Sequence, residues 1–212
     1  MPAVDMIQPI AVLKDPAEPA GHEETCLAAA LASTAAIVAF PEDPLWAQWY
    51  PHGQGKSVRR GKPKDLRALE AEGAVVVTVG DAVAAAYPPR EYPLTGRMRA
   101  LQVAGTELEH TGRPVSHAWP APEGVPALQI GLDTALGMST GKAAAQAAHA
   151  AFDWAVALGP ERLAAWVEAG QPARLVPLGR RDMAALLPTA SVQIHDAGHT
   201  EIASGSLTAI AL

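Results

Sequence analysis

The stretch PALQIGLDTALGMSTGKAAAQAAHAAFDWAVAL, residues 126–158, changes structural period partway along. Its first eight residues, PALQIGLD, are short and mostly apolar, the pattern of a strand. From Ser139 the chain becomes alanine-rich, and Ser139 or Thr140 is suited to cap a helix running to about Leu158. Gly159-Pro160 stops that helix and opens a second one, GPERLAAWVEAG. Downstream, ARLVPLG reads as a strand, RRDMAALLP as a short helix, and SVQIHDAG and GSLTAIAL as two more strands. Pro177 has no N–H to give, so its strand should lie at an edge or end early. The order is β-α-α-β-α-β-β.

The N-terminal part follows the same order. IQPIAVLKD is a strand, Glu23 to Phe40 a helix, EDPLWAQWY a second helix and KSVRRG a short strand. KPKDLRALEAEG is a helix, AVVVTVGDA a strand, and AVAAAYP a last strand. A shift of 118 residues aligns Asp15 with Asp133, Gly61 with Gly179, and EETCLAAALASTAA with GKAAAQAAHAAFDW without a gap. A shift of 115 aligns Asp81-Ala82 with Asp196-Ala197. Two copies of one fold unit are therefore expected. The fold class is α/β: two similar two-layer or three-layer units, each a four-stranded mixed sheet packed with helices. The boundaries read as 1–87, a Pro/Gly-rich linker at 88–124, and 125–212. Within the linker, ALQVAGTEL has the look of a strand; the rest reads as extended loop.

The whole chain has 212 residues, a formal net charge of -6 and 5% aromatics. That balance disfavours a general nucleic-acid binder and rows of base-stacking rings, so an RNA partner would need a local basic patch. A single cysteine, Cys26, forbids an intrachain disulfide, which suits a reducing cytoplasm. The N-terminus lacks the pattern of a signal peptide, and the longest apolar run, CLAAALASTAAIVAF, is too short to span a bilayer. A cytoplasmic protein without a membrane partner is expected.

Gly137, Gly141 and Lys142 suggest a phosphate loop, but three residues separate the glycines where a Walker motif has four. Ala143 also replaces the hydroxyl that would meet magnesium. On a helix, however, Lys142, Gln146 and His149 stand at i, i+4 and i+7, on one face. Taken singly, they read as a solvated lysine and a satisfied core histidine; a stripe of three reads as a site. A lysine in the first helical turn sits against the positive end of the macrodipole, a place suited to holding an anion. The second cluster is HDAGHTEIASGS, residues 195–206. Asp196 ends a strand, Gly198 permits a close turn, and Thr200 adds a hydroxyl. His195 and His199 have metal-like spacing, yet His195 should face away from Asp196 and no third ligand is evident.

GKAAAQAAHA (141–150) followed by DAGHTEIASGS (196–206) resembles the class II peptidyl-tRNA hydrolases, and Met138 fits as well. The resemblance covers about 125–212. It implies hydrolysis of the ester joining a peptide to tRNA, without metal or other cofactor, as part of translation. It implies Lys142, Asp196 and Thr200 as the central catalytic set, supported by Gly141, Gln146, His149 and Gly198. Family members commonly pair as homodimers. Here Glu24, Ala28 and Leu31 stand opposite Lys142, Gln146 and His149, and Val83 and Ala85 opposite Gly198 and Thr200. The N-terminal unit thus reads as a degenerate, structural copy, giving an internal pseudo-dimer with further homo-oligomerisation open. It also carries KSVRRGKPKDLR (56–67), six Lys/Arg against one Asp, readable either as a solvated flank or as an RNA-facing patch.

Overall fold

Alternating apolar residues and a helix with no polar face decide how this chain packs. In the computed structural model, which describes residues 5–17, 19–52, 54–198 and 201–212, the first strand is β1 (Met6–Leu13). It leads into α1 (His22–Ala39), buried on nearly every side from Thr25 to Thr34. Such a helix needs a partner on each flank. There follow α2 (Leu45–Trp49), β2 (Lys56–Gly61), α3 (Leu66–Ala71), β3 (Val75–Val79) and β4 (Ala82–Ala86). The connection supplies β5 (Arg90–Glu91), α4 (Gly96–Ala100) and β6 (Val115–His117). The C-terminal unit then runs β7 (Leu128–Asp133), α5 (Thr140–Leu158), α6 (Pro160–Glu168), β8 (Ala173–Leu178), α7 (Arg180–Leu186), β9 (Val192–His195) and β10 (Leu207–Ala211).

The two sheets share one plan. The first has the order β2-β1-β4-β3, with β1 and β2 parallel and the other pairs antiparallel. The second contains β8-β7-β10-β9 with the same directions. Each four-stranded core gains a fifth strand from the connection: β5 pairs with β1, and β6 pairs with β8. The two-unit α/β reading of the sequence therefore holds, with one strand more per sheet. The added strands were hidden because two or three residues show no usable alternation.

Pro177 finds a compromise. β8 lies inside its sheet, but β6 covers it only from Ala173 to Leu175. Beyond that point β8 is an open edge, and a missing N–H costs no ladder bond there. ALQVAGTEL forms a single bridge, Gln102 to Arg60, and no strand.

Helices α1 and α5 pack on each other between the sheets. α1 also meets β6 and β8, and α5 also meets β2. Both are rich in alanines inaccessible to solvent, among them Ala28, Ala29 and Ala32 on α1 and Ala144, Ala147 and Ala151 on α5. Small side chains let the two backbones approach closely and fuse the inner faces of both sheets into one core. The opposite faces are covered by α3 and α4 in the first unit and by α7 in the second. Among the described residues, no helix is long and apolar enough to cross a membrane.

Candidate active site

β7, β8 and β9 run in one direction, so their C-terminal ends share an edge of the sheet with the N-terminus of α5. Open α/β sheets place chemistry at this edge. Ser139 caps α5, its hydroxyl accepting from Lys142 N at 3.2 Å. The cap is itself held by Glu201, whose carboxylate accepts from Ser139 N at 2.9 Å and from Ser139 Oγ at 2.6 Å. The 196–206 loop is thereby tied to the first turn of α5. Glu201 falls within the DAGHTEIASGS motif, but no role for it was legible there, because its partner lies 62 residues away.

Lys142 and Asp196 meet directly: the ammonium group donates to Asp196 Oδ2, and both side chains are largely buried. Gln146, one turn along α5, donates its amide to the same oxygen at 3.0 Å. Gly198 N donates to the other oxygen, Oδ1, at 2.7 Å. Asp196 is thus aimed by three donors from two segments. Charge-assisted bonds of this kind are the strong ones.

Behind Gln146 stands Thr208 of β10. Its hydroxyl lies 2.8 Å from Gln146 Oε1 and 3.0 Å from Ile194 O, which fixes the orientation of the amide. Thr208 is fully buried and was missed, since a strand threonine carries no signal of its own. His149 lies further along the stripe, partly buried. Burial and the charges of Lys56 and Lys142 push its proton affinity well below that of an ordinary histidine, so it stays neutral. Gly141 sits under the connecting segment, where Thr106 Oγ1 accepts its N–H at 3.1 Å. A methyl group at Gly141 would lie 2.7 Å from that oxygen, so glycine is required by the close approach. His199 and Thr200 lie outside the described residues.

The same segment straps both central helices. Leu108 N donates to Thr140 Oγ1 at 3.0 Å, His22 N donates to Glu109 O at 2.9 Å, and Glu23 accepts from Thr111 and Gly112. Thr140 Oγ1 also lies 3.0 Å from His22 Nδ1. Having accepted from Leu108, the hydroxyl is free to donate its proton to Nδ1, which suits a neutral ring. Burial, together with the stacked ring of His110, lowers the His22 pKa to about 4, and Glu23 opposes the shift.

The sign follows by linkage. Below its ordinary 6.5, the unfolded chain takes up a proton that the folded chain refuses down to about 4. This contribution to stability is complete above pH 6.5 and is lost as pH falls toward 4. The thermal midpoint should therefore fall across that window more steeply in the wild type than in His22→Gln. Parallel slopes would show that His22 is not the group responsible.

Among its described residues, the first unit has no comparable site. Glu24 rests against Gly80, and β3 and β4 are joined by the two residues Gly80-Asp81 alone. Val83 and Ala85, aligned in sequence with Gly198 and Thr200, are residues of β4. The long loop of the second unit has no counterpart here. The linear shift missed this because one matching Asp-Ala pair conceals a length difference after it.

Residues 127–212 match the family model described as Peptidyl-tRNA hydrolase PTH2. The chain is 36% identical over 100 residues, 42% of its own length, to a Schizosaccharomyces pombe protein named Probable peptidyl-tRNA hydrolase 2. That alignment covers 49% of the relative, so the chain spans about half the length of the curated protein it matches. No solved structure matches the chain. Residues 127–212 of this chain are thus similar to the peptidyl-tRNA hydrolase PTH2 family.

Proposed function

We propose that this protein hydrolyses the ester between peptide and tRNA in the cytoplasm, releasing both, with Lys142, Asp196 and Thr200 as its catalytic set. The observation that carries the reading is the convergence of Lys142 and Gln146 on one oxygen of Asp196 at the N-terminus of α5. Ester hydrolysis needs a water deprotonated as it attacks, and a cation or donor for the oxyanion that forms. Asp196, oriented by Gln146 and Gly198, accepts the proton of the water. The water oxygen bonds to the carbonyl carbon, and the bond to the ribose oxygen then breaks. Lys142 stabilises the negative charge developing on the carbonyl oxygen, and the departing ribose oxygen takes up the proton that Asp196 removed from the water. Thr200 positions the substrate. Gly141, Gln146, His149 and Gly198 support the set by shaping the helix turn and the loop.

The chain works as an internal pseudo-dimer, with 1–87 as a degenerate copy, 88–124 as connection and 125–212 as the catalytic unit. The common strand plan supports this reading. So does the contact of His22 with Thr140, positions exactly one 118-residue shift apart. Equivalent positions touch each other at a two-fold axis. The testing experiment is release of labelled peptide from peptidyl-tRNA by the purified chain, with Lys142→Ala as control. Release that persists unchanged in the control would refute the assignment. Binding of tRNA without release would favour a non-catalytic RNA-binding module.

A further inference from the structure

The basic stretch 56–67 separates into two functions once folded. Lys56 turns inward: its ammonium bonds Gln8 and Ser33 and lies over the rings of Trp49 and Phe152 at 4.8 and 4.5 Å. Of the other five cations, Arg59 and Arg60 are half-buried and, as neighbours in β2, point to opposite faces of the sheet. Arg59 reaches under α4, donating to Met98 O and Leu101 O at 3.3 Å each, and Arg60 bonds the side chain of Gln102. These bonds pin Arg99, at the end of α4, beside the edge strand β2. Lys62, Lys64, Arg67 and Arg99 are exposed. The acid within the stretch, Asp65, is buried and taken up by Arg97 and by Lys62 N, so it does not offset them outwardly.

A short chain of contacts leads from this face to the catalytic lysine. Gly61 O accepts from Lys14 N at 3.0 Å, and Lys14 Nζ donates to Glu107 O at 2.7 Å. The next residue, Leu108, bonds Thr140, two residues before Lys142. The C-terminal end of β2 and the N-terminus of α5 therefore open on one side of the molecule. A chain with a net charge of -6 that gathers Lys62, Lys64, Arg67 and Arg99 in one place presents a local site for a polyanion.

We propose that Lys62, Lys64, Arg67 and Arg99 of the first unit form a docking face for the phosphate backbone of the tRNA whose 3′ end enters the Lys142–Asp196 site. The degenerate copy has lost its chemistry and serves as the tRNA-holding half of the pseudo-dimer. Regularly spaced phosphates suit such a row of point charges and guanidinium forks, and the contacts position without reading sequence. This proposal rests on the peptidyl-tRNA reading above, and the experiment separates the two.

The variant is Lys62→Ala/Lys64→Ala/Arg67→Ala, at exposed positions. Three measurements are made on wild type and variant: turnover of peptidyl-tRNA, turnover of a short ester carrying only the terminal CCA trinucleotide, and tRNA binding against salt. The variant should raise KM for peptidyl-tRNA by roughly tenfold and flatten the salt slope by up to about three. Its turnover of the CCA ester should match wild type. An unchanged KM and unchanged salt slope overturn the docking face while leaving the hydrolase reading intact. A wild type that hydrolyses neither ester yet binds tRNA with a slope that the variant flattens overturns the hydrolase reading and keeps the docking face. A wild type that does not bind tRNA at low salt overturns the docking face.

Discussion

Asp196→Asn is expected to lower kcat/KM on peptidyl-tRNA by about two to four orders of magnitude, the range for loss of a positioned general base. The substitution keeps the size of the side chain and removes only its charge and basicity. Oδ2 now receives Lys142 and Gln146 together, and Oδ1 receives Gly198 N. An asparagine offers one acceptor oxygen for these three donors, and its own amide then faces another donor. The site loses its base and its geometry in one step.

Lys142→Ala should cost a similar factor by removing the cation, while leaving a buried carboxylate without its ion-pair partner. Because the two residues act through one contact, the double variant should lose little more than either single one. The readout is a double-mutant cycle on kcat/KM, with circular dichroism to confirm folding. Additive losses would mean that the pair does not function as a unit. An Asp196→Asn rate within about threefold of wild type would remove Asp196 from the mechanism.

Gly198→Val is expected to reduce turnover by at least about tenfold while moving the thermal midpoint only slightly. Gly198 has φ +80°, a region that a β-branched residue adopts only with strain. A Cβ there would lie 2.6 Å from Ser204 Cβ and 2.9 Å from the Ser204 backbone. A flexible side chain could swing aside; a backbone cannot. The loop must therefore open, and it takes with it the N–H that holds Asp196 Oδ1. The cost in stability is limited because Gly198 and Ser204 are themselves exposed. Circular dichroism and kcat/KM on the same preparation check both halves. A large drop in midpoint would indicate that the loop supports the fold as well as the site.

Much of this was legible in the linear chain because it depends on local periodicity. The strand–turn–helix of 126–158 follows from a change of period and from the stop at Gly159. The stripe Lys142, Gln146, His149 follows from helical geometry. Asp196 was marked by its place at a strand end. The loop size was not legible in the first unit: a two-residue turn, Gly80-Asp81, and an 11-residue loop, Asp196–Ser206, both carry an aspartate shortly after a strand.

By itself, the sequence determined the two-unit α/β plan, the helix that carries the candidate site, and the family likeness of residues 127–212, since each is written in short-range pattern or motif. Only the tertiary structure decided which long-range partners complete them. Thr208 steadies Gln146, Glu201 holds the Ser139 cap of α5, the connection straps both helices, and Lys56 leaves the basic stretch for the interior. Burial and hydrogen bonding between distant segments set these roles, and neither has a period along the chain.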